Sequence, residues 1–198
     1  MSKRFIAGFF AIAVMPILSA IPASAISYSI VLNETTTAPA TSLGFQAPDF
    51  GGGTVDNATG SVSGQYRSPW EGTGNEALSY TSVRSGTVGY NIAGLSLSLL
   101  WGSPDSYNRL TFHTGENGTG DSTTVFGASI GAPQGLGFHL VQFVTDQVFK
   151  SITISSDSAA FEFANLTATP IPPALLLFLS GLGAMGWLGR KRRAHATP

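Results

Sequence analysis

Hydrophobic and polar residues alternate with a period of two along the middle of the chain. Residues 95–99 are Leu-Ser-Leu-Ser-Leu, and residues 152–154 and 161–163 show the same alternation. This pattern is typical of a half-buried β-strand, whereas an amphipathic helix would show a period of about 3.6. Other runs rich in β-branched and aromatic residues predict strands at 28–32, 61–67, 78–83, 88–92, 109–113, 123–126 and 138–144. The apolar residues of the last two strands are expected to face the core: Ile152, Ile154, Phe161 and Phe163.

Turn-forming residues separate most of these runs. Asn117-Gly118 is the clearest hairpin turn, and the glycine-rich stretches 51–53 and 72–74 predict long loops in the first third of the chain. About ten short strands without a helical run predict an all-β fold, an antiparallel β-sandwich or jelly roll, over residues 26–169.

The first 25 residues, 1–25, have the composition of a signal peptide. A basic start is followed by an apolar stretch at 5–18 and by the small residues Ala23 and Ala25. Such an Ala-x-Ala ending is a cleavage site, so the mature chain is expected to begin at Ile26 after export by the secretion translocon. The alternative is an uncleaved transmembrane anchor.

The end of the chain has three parts in a fixed order. A proline cluster comes first, then the uncharged apolar run 174–189, then a basic block, within the segment 170–193 and ahead of a short tail at 194–198. The cluster and the block consist of Pro170, Ile171, Pro172 and Pro173, and of Arg190, Lys191, Arg192 and Arg193. We expect 174–189 to form one transmembrane helix, although it is shorter than the ~20 residues of an average span. The positive-inside rule would keep the basic block and 194–198 cytoplasmic and place 26–169 outside.

This tail resembles the PEP-CTERM sorting signal of Gram-negative bacteria, which has a Pro-x-Pro motif, a glycine-containing membrane helix and an arginine-rich end. Ile171 stands where the commonest form of the signal has glutamate. The resemblance implies an inner-membrane precursor, handling by an exosortase-type membrane protease, and delivery to the cell surface or extracellular biofilm matrix. The same tail is also catalogued as an ice-binding protein C-terminal domain, a label that does not imply ice binding. The alternative is a plain stop-transfer anchor.

Parts of the core are also similar to PEP-CTERM surface proteins. The matching segments are 101–108 with 110–112, 142–146, 149–156 and 160–166. These matches imply the fold and the destination of the protein, and they imply no catalytic or binding residues.

Charge is distributed unevenly along the chain. All eleven acidic residues but only four of the ten basic ones lie within 26–169, so this region carries a net charge of 4 − 11 = −7. So acidic a surface is poorly suited to nucleic acid. The chain contains no cysteine, which excludes disulfides, thiol catalysis and thiolate metal sites.

Calcium is the metal that the residues suit best, because acidic and amide side chains in turns supply hard oxygen ligands. The candidate ligands are Asp105, Asn108 and Asp121, with Glu116 and Asn117 nearby. The alternative is that these side chains stabilise turns through their own hydrogen bonds. We expect no other cofactor.

Three patterns bear on catalysis, and none of them indicates an enzyme. Ser129 lies in a Gly-x-Ser-x-Gly sequence, but turn residues follow it where a nucleophile elbow needs a helix. His113 and His139 lack metal-site spacing, so we expect them to be structural. Glu71 and Glu76 lie in a glycine-rich loop and do not form a recognisable glycosidase pair.

Four aromatic residues could form a sugar-stacking face: Tyr66, Trp70, Trp101 and Tyr107. Trp70, between Pro69 and Glu71, is expected to be the exposed one, whereas Trp101 ends a strand that looks buried. We therefore expect an exported, surface-sorted structural or matrix protein without enzymatic activity. The alternatives are a carbohydrate-binding module, with or without calcium, whose partner would be an exopolysaccharide, and a secreted hydrolase.

Overall fold

A computed structural model of the chain describes residues 25–33, 43–72, 74–131 and 139–169. Within these ranges the chain forms ten β-strands and one 3₁₀ helix. The strands are β1 (Tyr28–Asn33), β2 (Phe50–Gly51), β3 (Thr54–Thr59), β4 (Ser79–Tyr90), β5 (Gly94–Trp101), β6 (Asn108–His113), β7 (Ser122–Phe126), β8 (His139–Phe149), β9 (Ser151–Ser156) and β10 (Phe161–Thr169), and the 3₁₀ helix is Gly127–Ile130. The all-β prediction is confirmed at this level.

All of these strands pair antiparallel. The order across the sheet is β1-β8-β5-β10-β4-β9-β6-β7, and β2 and β3 pair with β4 beside this path. β10, the last strand in the sequence, therefore lies in the middle of the sheet between β5 and β4.

β4 is the strand around which the sheet curls. Residues 79–83 of β4 pair with β3, and the overlapping stretch 81–83 also pairs with β10. Residues 86–90 of β4 pair with β9, and β2 pairs with residues 88 and 89 of β4. Gly86 lies at the change of partners with a φ of 77°, a conformation that glycine adopts without strain. As a result Phe112 of β6 and Phe143 of β8 meet across the core, with their ring centroids 5.6 Å apart, although four strands separate β6 from β8 in the sheet order.

The main core is built by the alternation seen in the sequence. The predicted inward positions Ile152, Ile154, Phe161 and Phe163 are fully buried, and this prediction is confirmed. Phe161 stacks on Trp101 of β5 with ring centroids 4.2 Å apart and planes inclined by 16°. These two rings belong to neighbouring strands, so their contact depends on the register in which β5 and β10 pair.

A second, smaller core lies on the outer face of the sheet, beneath the described residues of the segment 60–78, which are 60–72 and 74–78. It contains Ala58, Trp70, Tyr80, Leu100 and Ala164. The Tyr80 hydroxyl donates to the carbonyl of Gly60 at 2.6 Å, and the Trp70 indole N–H donates to the carbonyl of Ser79 at 3.4 Å. These contacts hold the segment 60–78 against the sheet, where it forms one wall of the site described below.

The first third of the domain differs from the sequence prediction. The predicted strand at 61–67 is wrong, because these residues form a tight turn closed by a single bridge between Val62 and Tyr66. β3 was missed, since its Asp56-Asn57 pair has low strand propensity and the strand forms only through pairing with β4. Gly51 and Gly53 allow close packing against β4 in place of the predicted long loop: an added Cβ would lie 2.5 Å from the carbonyl oxygen of Thr87 at Gly51 and 2.9 Å from that of Ser85 at Gly53.

Two predicted strands, 78–83 and 88–92, form the single long β4, whereas the strands predicted at 28–32, 109–113, 123–126 and 138–144 correspond to β1, β6, β7 and β8. Residue 138 itself lies outside the described residues.

The first described residues pack against the sheet. Ala25 is exposed, whereas Ile26 is 2% exposed and belongs to the main core. Ser27 is tied to β8, since its N–H donates to Asp146 Oδ1 at 2.9 Å. Ala23, the predicted span 174–189 and the other residues of 170–198 lie outside the described residues. In the part of the chain that is described, no helix is long and apolar enough to cross a membrane.

Candidate binding cleft

A cleft of about 520 Å³ opens on the outer face of the sheet beside the small core. One wall is the turn 61–67 together with Glu71, and the opposite wall comes from the loops after β5 and before β10. The lining residues of the second wall and the base are Ser103, Asp105, Ala159, Ala160 and Glu162. The cleft therefore gathers residues from three separate parts of the chain onto one face.

Glu162 forms the base of the cleft from its position on the central strand β10. Its residue exposure is only 1%. Oε1 accepts a hydrogen bond from the Arg67 backbone N–H at 2.8 Å, and Oε2 accepts one from the Ser103 hydroxyl at 2.8 Å. Burial raises the pKa of Glu162 from its ordinary value of 4.5 to about 7, although these hydrogen bonds act in the opposite direction. A carboxyl group of this kind changes charge near neutral pH.

The approach of Glu162 to the neighbouring loop requires a glycine. A Cβ added at Gly102 would lie 2.8 Å from the Glu162 Cβ, a distance too short for two carbon atoms. The Gly102 N–H donates to the Glu162 carbonyl at 2.8 Å. Gly102 thus lets the loop pass close to β10 and brings Ser103 to the carboxylate.

Asp105 and Tyr107 form the rim on the same side. The Tyr107 hydroxyl donates to Asp105 Oδ2 at 2.9 Å and lies 3.3 Å from the carbonyl of Ala159. Burial, together with the hydrogen bond to Asp105, raises the pKa of Tyr107. The phenol therefore stays protonated and keeps donating to Asp105, which leaves the second carboxylate oxygen without a hydrogen-bond donor among the described residues.

A buried hydroxyl lies next to Glu162 on the cleft face of the sheet. Ser82 of β4 pairs directly with Glu162 of β10, so both side chains point to the same face. The Ser82 hydroxyl is buried and has no hydrogen-bond partner among the described residues. Ser82 is fully buried and is not among the residues that line the cleft, so its hydroxyl lies within the protein interior.

The structure does not bring the three calcium candidates together. Asp105 lines the cleft, whereas the Asn108 side chain is committed to the fold: its Nδ2 donates to the carbonyls of Ser103 and Ala160, and its Oδ1 accepts from Ser156. Asp121 pairs through its backbone with Thr114, beyond the far end of β6. A strand of this length separates the two ends by roughly 17 Å, too far for one cation site. Across the described ranges, no three His, Asp or Glu residues cluster in a way that could hold a metal.

The residues considered for catalysis are dispersed. Ser129 is exposed in the 3₁₀ helix, where its hydroxyl donates to the Phe126 carbonyl at 2.7 Å. His113 Nε2 lies 3.0 Å from the Thr153 hydroxyl, and burial lowers the pKa of this histidine. His139 is 6% exposed and pairs with Trp101 in the main sheet. None of the three lines the cleft.

The two loop glutamates have different positions. Glu71 lines the cleft, and its Oε2 lies 2.5 Å from Arg67 Nε. Glu76 is turned to its own loop, where Oε1 accepts from the N–H groups of Gly72 and Gly74. They therefore do not form a facing pair.

The four aromatic residues that were candidates for a sugar-stacking face differ in their burial. Trp70 is fully buried, so the expectation that it is exposed is wrong; its turn folds back and fills the small outer core. Trp101 is fully buried, as expected. Tyr66 lines the cleft and meets Tyr80 edge to face at 6.2 Å, and Tyr107 stands at the rim beside Asp105. Of the four aromatic candidates, only Tyr66 lines the cleft itself.

Glu162 is the residue that sequence reasoning missed. Its position between Phe161 and Phe163 predicts only a side chain on the outer face, and outer faces of sheets are often solvated. It is buried because the segment 60–78 covers that face. The residues next to Glu162 in the sequence do not indicate that a distant segment covers it.

Comparison of the chain with protein-family models, with curated proteins and with solved structures finds no match.

Proposed function

We propose that the protein is an exported, surface-sorted structural or matrix protein without enzymatic activity. The described residues 25–33, 43–72, 74–131 and 139–169 would belong to its extracytoplasmic domain, a β-sandwich of jelly-roll type formed by the curled sheet. The contact between Phe112 and Phe143 supports the sandwich, because it joins strands from opposite halves of the sheet order.

The main support is the agreement between the folded domain and the two flanking signals. Ile26, the residue after the expected cleavage site, is a core residue, while Ala25 before it is exposed. At the other end β10 includes Thr169, so the folded domain extends up to the proline cluster. Cleavage at both boundaries would remove the targeting segments and leave every described strand intact.

In this proposal the secretion translocon exports the chain and 174–189 holds the precursor in the inner membrane. The basic block Arg190–Lys191–Arg192–Arg193 stays cytoplasmic, and an exosortase-type protease acts near Pro170–Ile171–Pro172–Pro173. Prolines keep the chain out of helix and so leave an extended segment for a protease to bind. The processed domain then reaches the cell surface or extracellular matrix.

Intact-mass analysis of protein extracted from the surface tests this pathway. We expect a chain that begins at Ile26 and ends within or close to the proline cluster. Replacement of Pro170, Pro172 and Pro173 by alanine should abolish release. A surface form that still ends at Pro198, or release that the alanine variant leaves unchanged, would show that the segment is only an anchor.

A second candidate function is carbohydrate binding, which one observation favours. The cleft combines an aromatic wall at Tyr66 with carboxylate acceptors at Glu71, Asp105 and Glu162. Sugar sites commonly pair an aromatic face with planar polar groups, and a volume of about 520 Å³ lies within the range of small-molecule sites. Binding of the protein to the polysaccharides of its own host tests this function, with Tyr66→Ala expected to weaken it. New reducing ends during the assay would indicate a secreted hydrolase instead.

A further inference from the structure

β1 lies at one edge of the sheet, and its outer side carries unpaired backbone groups. Among the described residues it pairs with β8 alone, over all six of its residues. The Asp146 N–H donates to the Ser27 carbonyl at 3.1 Å, so Ser27 and every second residue after it bond to β8. The residues between them, Tyr28, Ile30 and Leu32, therefore direct their N–H and C=O groups away from β8. These groups have no hydrogen-bond partner in the part of the chain that the structure describes.

β1 also lacks the features that usually protect an edge strand. Lysine, proline and β-bulges discourage the pairing of edges in natural proteins. The sequence of β1 is Tyr-Ser-Ile-Val-Leu-Asn, which has no charge and no proline, and its register with β8 runs without a shift. Apolar surface continues beside it, because Val31 is 44% exposed and Val144 of β8, on the same outer face, is 41% exposed. This edge is thus open to another extended strand.

The opposite edge of the sheet, β7, has a more complete core beside it. The 3₁₀ helix Gly127–Ile130 contacts both β6 and β7, and Val125 of β7 is fully buried. In β1 the side chains that face the core are those of Tyr28, Ile30 and Leu32, and each of them packs against the main core but is only partly buried. A strand added beside β1 would cover these three side chains as well as pair their backbone groups.

The unpaired groups of β1 are complementary to those of a second β1. Two antiparallel copies with Ile30 opposite Ile30 place Tyr28 of each copy opposite Leu32 of the other. Each of these pairs exchanges two hydrogen bonds, so every free N–H and C=O of the three residues is used in both copies. A shift by two residues in either direction would leave one of the three without a partner in the other β1. The register with Ile30 at the centre is therefore the one that satisfies the edge.

We propose that the protein assembles with a second copy of itself through β1, in this register, so that the two sheets continue across a two-fold axis. Such an interface uses the same surface of both copies. The partly buried Tyr28 and Leu32 then cover each other on the inner face, and on the outer face Val31 of each copy lies opposite Ser29 of the other. This assembly goes beyond the proposed function and does not depend on it.

The distribution of charge suits a second copy in spite of the negative charge of the domain. β1 itself is uncharged, and the acidic side chain next to it is Asp146, which lies beside Ser27 before the start of the strand. In the antiparallel pair the two Asp146 carboxylates lie beyond opposite ends of the strands, at least roughly 20 Å apart. This distance is more than twice the Debye length of ~8 Å at physiological salt, so their repulsion is largely screened.

Cysteine cross-linking of the full chain in detergent tests the interface and its register, because the native chain contains no cysteine. Ser29 and the Val31 of the other copy form a directly opposed pair with Cβ atoms ~5 Å apart, near enough for a disulfide after small adjustment. Ser29→Cys and Val31→Cys are mixed and oxidised with copper–phenanthroline. We expect a disulfide-linked dimer in the mixture and its loss with either variant alone, since identical positions lie roughly 8 Å apart, beyond disulfide reach.

Two further variants separate the outcomes. Ser122→Cys, exposed on β7, is mixed with Val31→Cys as the control for random collision and for pairing of opposite edges, and it should give no dimer. Ile30→Pro, added to both cysteine variants, removes an N–H that β8 does not use and should abolish the cross-link, with the near-UV circular dichroism spectrum as the check that the fold is kept.

Three results would overturn the proposal. Equal cross-linking of Val31→Cys with Ser122→Cys and with Ser29→Cys would show random collision. A cross-link that persists with Ile30→Pro would show contact without backbone pairing. The absence of a dimer from the mixture of Ser29→Cys and Val31→Cys would show that this edge binds no second copy.

Discussion

Replacement of Phe161 by alanine should be among the most destabilising changes in this protein. The side chain is fully buried on β10, the central strand of the sheet. It stacks on Trp101 at 4.2 Å and meets Phe163 edge to face at 6.0 Å. Truncation of a buried phenylalanine costs ~3–5 kcal/mol, because it loses transfer free energy and leaves a cavity. Loss of the two ring contacts, worth ~0.5–1.5 kcal/mol each, places the expected value in the upper half of that range.

Urea unfolding of residues 26–169, followed by tryptophan fluorescence, measures this free energy of unfolding. The probe is well placed, because Trp101 is stacked on the ring that the substitution removes. Phe126→Ala is the matched control: this phenylalanine is 46% exposed at the edge strand β7, and the Arg109 guanidinium lies 5.7 Å from its ring centroid. Its truncation should cost about 1 kcal/mol or less.

The comparison can refute the reasoning directly. If Phe161→Ala lowers the free energy of unfolding by less than ~1 kcal/mol, the inner face of β10 is solvated and the register with β4 and β5 is wrong. The same conclusion follows if the two substitutions have equal effects.

Two other predictions concern packing and pH. A Cβ at Gly89 would lie 2.0 Å from the ring of Phe50, so Gly89→Ala should lower the free energy of unfolding by ~1–3 kcal/mol. Gly52→Ala is the control and should cost much less, because nothing lies within 4 Å of an added Cβ there. If Phe50→Ala restores stability in the Gly89→Ala background, the clash with Phe50 is the cause. Because the pKa of Glu162 is raised from 4.5 to about 7 on folding, the folded state binds the proton more tightly and its stability should fall as pH rises from 4.5 to 7, by about 3 kcal/mol at most. Glu162→Gln should flatten this slope in unfolding curves measured across the range, and an unchanged slope would assign it to other groups.

The strands that carry a strict alternation were predictable in type and in face. In β9 and β10 the inward residues Ile152, Ile154, Phe161 and Phe163 are apolar and fully buried, so local pattern and tertiary burial agree at these positions. β3 and the turn 61–67 were not predictable in this way. Asp56-Asn57 joins a strand only because β4 supplies its hydrogen-bond partners, and the residues 61–67 form a turn although their composition favours a strand.

The sequence predicts the candidate site less well than it predicts the fold. Asp105 and Tyr66 are candidates in the sequence as an isolated polar and an isolated aromatic residue, but nothing near them in the chain shows that they line one cleft. Glu162 was absent from the candidates altogether. Trp70 was assigned to the surface because its neighbours are Pro69 and Glu71, whereas its burial depends on Tyr80 and Leu100 from other strands.

The residues alone are enough to indicate the strand class and the inward faces of the alternating strands, because these depend on neighbours a few positions apart. The tertiary structure decides which outer positions are covered. Glu162 acquires its hydrogen bonds from Arg67 and Ser103, which lie 95 and 59 positions away in the chain. Burial and the change of pKa that accompanies it arise only when those segments meet, since removal of water from a carboxylate depends on the atoms around it and not on its place in the sequence.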